Sequence, residues 1–243
     1  MTRRAIVVGA LGGIGRATVA RLAEDGIEVH AVDRLPEVVE TPPVGATRGH
    51  SCDVTDPSAV AATCAAVLAG GSVSILVNAA AVISTGDAEA CTLDDFDRTM
   101  SVNVRGPWLF AREVLPGMRD ARDGVIVNLT STAGLRPSQN RLAYSTSKAA
   151  IRQLTRSIAT DYGRFGVRAN VVCPGPIDTE LWRATRPEGM SADDHLQVTT
   201  AGLALPRLGT TEEIASMIGY LVSDQATYIT GATFTVDGGR TLH

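Results

Sequence analysis

Apolar and polar positions along this chain follow two alternating rhythms. Residues 5–8, Ala-Ile-Val-Val, form a short apolar run that ends at Gly9. That is the pattern of a strand buried on both faces. Over residues 13–25, Ile14, Ala17, Val19, Ala20, Leu22 and Ala23 recur at helical spacing, and Gly26 offers a stop. The same reading predicts a strand over 29–32, a loop over 41–49, a helix over 58–68 and a strand over 73–77. Residues 93–118 carry helical patterning, with Pro107 bending the helix or marking a break. A strand over 124–129, a strong helix over 144–162 and a strand over 167–172 follow. Residues 180–205 are irregular or weakly helical, 212–223 a helix and 233–236 the last strand. Strand and helix alternate throughout, which predicts an α/β fold: a Rossmann-type, doubly wound parallel sheet flanked by helices.

Composition narrows the picture. A chain of 243 residues with 44% hydrophobic content can bury one substantial core. No Pro/Gly/Ser-rich linker and no repeat divides it, so one dinucleotide-binding and catalytic domain over 1–243 is expected. The net charge of −4, without a long Lys/Arg run, gives no electrostatic footprint for nucleic acid. Cys52, Cys64, Cys91 and Cys173 show no paired spacing and read as small reduced residues. His30, His50, His195 and His243 show no ligand spacing, so no metal is expected. Met1-Thr2-Arg3-Arg4 leads into an apolar run too short for a signal-peptide core, and no run reaches membrane-spanning length. A soluble cytoplasmic protein with no membrane partner is the expectation.

Three stretches carry chemistry. Gly9-Ala10-Leu11-Gly12-Gly13-Ile14-Gly15 lies between a predicted strand and a predicted helix. Glycines there let the backbone approach a pyrophosphate, and the helix N-terminus favours its charge. A glycine-rich turn with no ligand is the bland alternative. Asp33 follows 18 residues after Gly15 at a strand end, where a carboxylate can bond the ribose hydroxyls of a dinucleotide and repel a 2′-phosphate. The neighbouring Arg34 could instead pair with that phosphate. Ser131 stands just after the strand 124–129, and strand ends of parallel sheets are where ligands bind. Tyr144 and Lys148 are four apart on one helix and so share a face. A phenol near pKa 10 is a poor base at neutral pH, and the ammonium together with an oxidised nicotinamide is expected to lower it. Asn103 sits in an apolar helix, where it is costly unless bonded, either as part of a site or as a cap near Pro107.

These segments resemble the short-chain dehydrogenase/reductase family from Ile6 to about Gly239. The resemblance implies a catalytic set of Asn103, Ser131, Tyr144 and Lys148, in which Tyr144 is general acid/base. Lys148 tunes it and anchors ribose, Ser131 polarises the substrate oxygen, and Asn103 holds a relay water. It implies a cofactor site of Gly9, Leu11, Gly13, Ile14 and Gly15 in the turn, with Asp33 and Arg34 at the ribose. Asp53 and Val54 meet the adenine, Asn78, Ala79 and Ala80 line the next strand end, and Pro174, Gly175, Ile177 and Thr179 fix the carboxamide. Tyr144 and Lys148 also touch the cofactor. The chain departs from the family at Val8, where Thr is usual, and at Ala79 and Ala81 in the Asn-Asn-Ala-Gly segment.

The implied activity is hydride transfer between a secondary alcohol or ketone and NAD(H), with NADP(H) as the alternative and a cyclic or polar hydroxy compound as the candidate substrate. An NADPH-dependent ketoreductase and a non-catalytic dinucleotide sensor stay open as rivals, though a sensor does not need the phenol. Residues 180–205 are the expected substrate lid. Arg136, Arg141 and Arg183 would suit an anionic substrate or be simply solvated. Trp108, Leu109 and Phe110 on one helix, with Ala149, Leu154 and Ile158 on another, predict a homotetramer or homodimer.

Overall fold

The computed structural model describes residues 3–242. Met1, Thr2 and His243, part of the readings of the N-terminus and of the histidines, lie outside them.

Seven parallel strands form one sheet in the order β3-β2-β1-β4-β5-β6-β7. They are β1 (Arg4–Val8), β2 (Glu28–Asp33), β3 (Arg48–Ser51), β4 (Ile75–Asn78), β5 (Gly124–Leu129), β6 (Val167–Pro174) and β7 (Thr233–Val236). The order reverses between β1 and β4, and a crevice at the strands' carboxyl ends is the usual ligand site of such a sheet. Ile6, Val7, Leu76, Val77, Ile126 and Val127 are fully buried, as both faces of a covered parallel sheet demand.

Two apolar layers cover it. On one face, Val19 and Leu22 of α1 (Gly13–Glu24) pack with Ile214, Ile218 and Leu221 of α9 (Thr211–Val222). On the other lie Val60, Cys64 and Val67 of α3 (Pro57–Leu68), Phe110 and Val114 of α5 (Gly106–Ala121) and Ile158 of α6 (Leu142–Tyr162). Among the described residues no helix is long and apolar enough to cross a membrane, no group of three or more His, Cys, Asp or Glu could hold a metal ion, and all four cysteines are free.

Three elements differ from the sequence reading. The loop expected over 41–49 ends earlier, because Arg48–Ser51 pairs with β2 as edge strand β3. Its Arg-Gly-His-Ser sequence has no apolar pattern to announce it. The single helix expected over 93–118 is α4 (Leu93–Met100), a π-helical segment (Ser101–Arg105) and α5 in unbroken succession. Pro107 lies in the first turn of α5 and breaks nothing. Residues 180–205 contain α7 (Glu180–Arg183), capped by Thr179, and α8 (Ala192–Thr200), capped by Ser191.

Candidate active site

The glycine turn is built from backbone. Gly9 has φ +79, and a Cβ there would lie 2.4 Å from the Ala80 nitrogen. Only glycine allows that conformation and that approach to the end of β4. A Cβ on Gly15 would lie 2.0 Å from the Gly9 carbonyl oxygen, so α1 packs directly on the turn. Gly12 caps α1 without a side-chain acceptor, whereas Asp56, Thr92 and Thr210 each cap their helices with one. The first N–H groups of α1 are therefore left without a side-chain cap at a positive helix end, a cradle that suits a pyrophosphate.

Asp33 closes one side of the turn. Its Oδ2 accepts from the Leu11 N–H at 3.0 Å and its Oδ1 from the Leu35 N–H at 3.3 Å. Arg34 beside it is exposed. Asp53 is exposed, and its Oδ1 accepts from the Thr55 N–H and hydroxyl, both at 2.8 Å. Val54 is buried against Gly106, where a Cβ would meet it at 3.0 Å. Ala79 donates its N–H to the Val8 carbonyl at 2.8 Å, which fixes the strand end where Ala80 meets Gly9. From the far side, Pro174 ends β6, and Gly175 passes so close to Asp237 that a Cβ would lie 2.7 Å from its Cα. Ile177 bridges to Gly209. Thr179 reaches Gly13, with its methyl 3.2 Å from where a Cβ would stand. Leu11 with Asp33, Ala80 with Gly9 and Thr179 with Gly13 thus meet at the turn, while Asp53 and Val54 make their contacts at Thr55 and Gly106.

Asn78 behaves differently. Its side chain is buried in the sheet, where Nδ2 donates to Asn128 Oδ1 at 2.7 Å, while its own Oδ1 has no partner among the described residues. Asn128 in turn donates to Thr155, which donates to the Ile151 carbonyl. This buried polar chain ties β4 to β5 and β5 to α6.

The catalytic end is built from side chains. Ser131 follows β5 and caps a short 3-10 turn, Thr132–Gly134. That turn lies flush on α6 because Gly134 has no Cβ; one would come within 2.6 Å of the Lys148 backbone. Thr130 fastens the same place by donating to the Lys148 carbonyl at 2.5 Å. Ser131 is thereby placed beside α6, and its hydroxyl is among the influences that lower the Tyr144 phenol. Tyr144 is 8% exposed and Lys148 is 3% exposed. Lys148 Nζ donates to the Leu129 carbonyl at 3.1 Å and stands 5.6 Å from the Tyr144 ring centroid. Two of its three N–H donors remain for a ligand.

Burial governs both ionisations. It pulls Lys148 down to about 8. It pushes the Tyr144 phenol above its usual range, against the lowering from the Ser131 hydroxyl and the Arg141 charge. The protein's own lowering influences are Ser131 and Arg141, and desolvation outweighs them.

Asn103 lies in the π-helical segment and is buried. The extra residue of such a segment re-aims a side chain inward. The amide accepts from the Val82 N–H and donates to the Val82 carbonyl, each at 2.9 Å, and also donates to Ser147 Oγ at 3.0 Å. It joins the loop after β4 to α6 beside Tyr144. Sequence reasoning missed Ser147, Asn128, Thr130 and Thr155. Their signal was polar residues on the buried faces of α6 and β5.

Trp182 of α7 stacks on His195 of α8, with centroids 4.5 Å apart and planes 8° from parallel. Trp108 is 44% exposed, while Leu109 and Phe110 are buried; Ala149 is exposed.

A family profile described as enoyl-(acyl carrier protein) reductase matches residues 9–241. The 2-(R)-hydroxypropyl-CoM dehydrogenase of Xanthobacter autotrophicus is 39% identical, with 99% of each chain covered. An uncharacterized oxidoreductase of Thermotoga maritima is 36% identical over 97% of this chain and 96% of its own. Among solved structures, the ligand-free aldohexose dehydrogenase of Thermoplasma acidophilum superposes with a TM-score of 0.91 at 33% identity, covering 100% of this chain and 95% of the other.

Proposed function

The chain belongs to the short-chain dehydrogenase/reductase family of oxidoreductases, and we propose that it is an NAD-dependent secondary-alcohol dehydrogenase with Tyr144 as general acid/base. The observation that carries the reading is the buried Tyr144, with the Lys148 ammonium one helical turn on and the Ser131 turn fastened against the same helix by Thr130. A bound nicotinamide dinucleotide supplies the hydride acceptor or donor. In this reading Tyr144 takes the alcohol proton at its phenolic oxygen and returns it when a ketone is reduced. Ser131 donates to the substrate oxygen. Lys148 donates to the nicotinamide ribose, and its charge adds to the positive surroundings that a phenolate needs. Asn103 holds the loop at Val82 against α6, so that a water beside Lys148 can relay the proton outward.

Pyrophosphate belongs on the uncapped start of α1, at Gly13, Ile14 and Gly15. The fixed carboxylate of Asp33 supports NAD(H), because a 2′-phosphate there would face a negative charge. The exposed Arg34 supports a second reading, an NADPH-dependent reductase. Residues 180–205 form the substrate lid in either case. Exposed Trp108, with Arg112 over its ring, supports pairing of α5 with a second copy in a dimer or tetramer.

The test is turnover of a panel with both cofactors: aldohexoses, cyclic diols, hydroxypropyl-CoM and an enoyl thioester. Tyr144→Phe should keep NAD binding and lose roughly 10²–10⁴ in kcat. Near wild-type turnover by that variant, or activity confined to the enoyl thioester, would overturn the reading.

A further inference from the structure

We propose that Arg141 is an anion subsite for the substrate. In this proposal the enzyme acts on an alcohol or ketone bearing a carboxylate, phosphonate or sulfonate, held by Arg141 while the carbinol faces Tyr144. The proposal rests on the dehydrogenase reading above and names its substrate class.

The backbone places this residue with care. Asn140 has φ 52, a left-handed conformation that Asn adopts more readily than most residues. Gly86 donates its N–H to the Asn140 carbonyl at 3.0 Å and accepts from the Leu142 N–H at 3.1 Å. Arg141 is thus clasped between two backbone bonds, three residues before Tyr144, where α6 begins. Its own side chain is not the helix cap.

The guanidinium is half-buried, and burial lowers its pKa. Removing an arginine from water is normally compensated by a carboxylate. Among the described residues no carboxylate lies within salt-bridge reach of Arg141. Among the described residues its one side-chain hydrogen bond is a long one, Nη1 to the Ser84 carbonyl at 3.5 Å. A guanidinium has five N–H donors, so most of the fork is free for a planar or tetrahedral anion.

The other arginines considered for this role differ. Arg183 pairs with Asp178 at 2.7 Å, and Arg136 is exposed. Arg141 alone of the three combines partial burial, an unmatched charge and electrostatic reach to the Tyr144 phenol. A substrate carbinol at Tyr144 would bring its own anion to the charge that the protein leaves unmatched.

The experiment compares 3-hydroxybutyrate with its methyl ester, a pair sharing one carbon skeleton. The ratio of their kcat/KM values is measured in wild type, Arg141→Gln, Arg141→Lys and Arg183→Gln. Wild type should favour the acid. Arg141→Gln should lower the acid-to-ester ratio roughly 10- to 100-fold, the scale of one charge-assisted bidentate contact. Arg141→Lys should fall between, and Arg183→Gln should leave the ratio in place. Because any effect of Arg141 on the phenol acts on both substrates, it cancels in the ratio.

A binding arm runs without turnover. The NAD-loaded protein is titrated by calorimetry with acetate, methylphosphonate and 2-mercaptoethanesulfonate. At least one should bind roughly ten times more tightly to wild type than to Arg141→Gln. Equal binding, no binding by wild type, or equal losses on acid and ester with a pH profile moved upward would overturn the proposal. The last result would make Arg141 a tuner of Tyr144 alone. Absence of turnover on every alcohol, with anion binding intact, would instead count against the dehydrogenase reading.

Discussion

The two ends of the candidate site are made of different material. The turn from Gly9 to Gly15 is shaped by backbone and by the absence of side chains, with Ala80, Thr179 and the start of α1 packed into the space that Cβ atoms would take. The cluster of Ser131, Tyr144, Lys148 and Asn103 is shaped by side chains, with Asn103 bonded to Ser147, Lys148 to the Leu129 carbonyl and the turn at Ser131 fastened to α6 through Thr130. The first should fail when atoms are added, the second when they are removed. Tyr144→Phe tests the second with the largest expected loss.

Gly15→Ala tests the first. The new Cβ would stand 2.0 Å from the Gly9 carbonyl oxygen, a backbone atom that cannot rotate away. The turn must open, and a displacement of about 1 Å at such a site costs roughly 100-fold in function. Loss of NAD affinity on that scale is expected, read by quenching of bound NADH fluorescence. Gly117→Ala is the control for simple loss of folding. It lies in α5, outside the turn, and its Cβ would meet nothing within 4 Å. Its affinity should change no more than a few-fold. Equal, large losses in both variants would mean that the turn is not shaped in this way.

The same contrast explains what could be read in the sequence. Glycines at Gly9, Gly12, Gly13 and Gly15 declare a backbone-built turn by their spacing. Apolar runs such as Ile6–Val8 and Ile126–Val127 declare buried strands, because nothing else puts β-branched residues together. Tyr144 and Lys148 share a helix face by simple periodicity. What stayed hidden depends on tertiary partners. β3 forms because β2 offers Arg48–Ser51 a register, not because Arg-Gly-His-Ser favours a strand. The π-helical segment follows from the match of Asn103 to Val82 and Ser147, residues 21 and 44 positions away in the chain. The direction of the Tyr144 shift required knowing that the phenol is buried, a property of the assembled sheet and α6.

A smaller effect is expected at Asp33, where the backbone-built end relies on one side chain. Asp33→Asn keeps an oxygen that can accept from the Leu11 N–H, so the turn should hold while the charge disappears. The ratio of kcat/KM for NAD over NADP should fall about tenfold, the scale of a charge-assisted hydrogen bond worth about 1.5 kcal/mol. An unchanged ratio in this variant, with Arg34→Gln abolishing use of NADP, would give the choice of cofactor to Arg34.

The smallest effect tests whether the cofactor half also contains a side-chain network of its own. His30 Nδ1 lies 2.9 Å from His50 Nε2, and His30 Nε2 lies 3.1 Å from Glu28, which pairs with Arg4 at 2.9 Å. If His30 donates to Glu28, its other nitrogen must accept from His50, so a doubly protonated pair would set two N–H groups against each other. Burial lowers both histidines below the usual 6.5. For His30 the Glu28 carboxylate opposes that shift, while Arg4 and Arg48 assist it; for His50 the His30 and Arg48 charges assist it. Below 6.5 the unfolded chain therefore binds more protons than the folded one. The stability is fully present above 6.5 and is lost as pH falls through the lower folded values. One such proton is worth at most about 1.4 kcal/mol per pH unit, so a fall of a few degrees in Tm between pH 7 and 5 is expected from this pair. His50→Gln should flatten the slope. Because the pair bonds β2 to β3, close to Asp33, NAD affinity should weaken with the same acid midpoint. Scanning fluorimetry and NADH titration across that range measure both. Parallel slopes in wild type and variant would show that the two histidines are spectators, and the backbone-built half would then be uniform in kind.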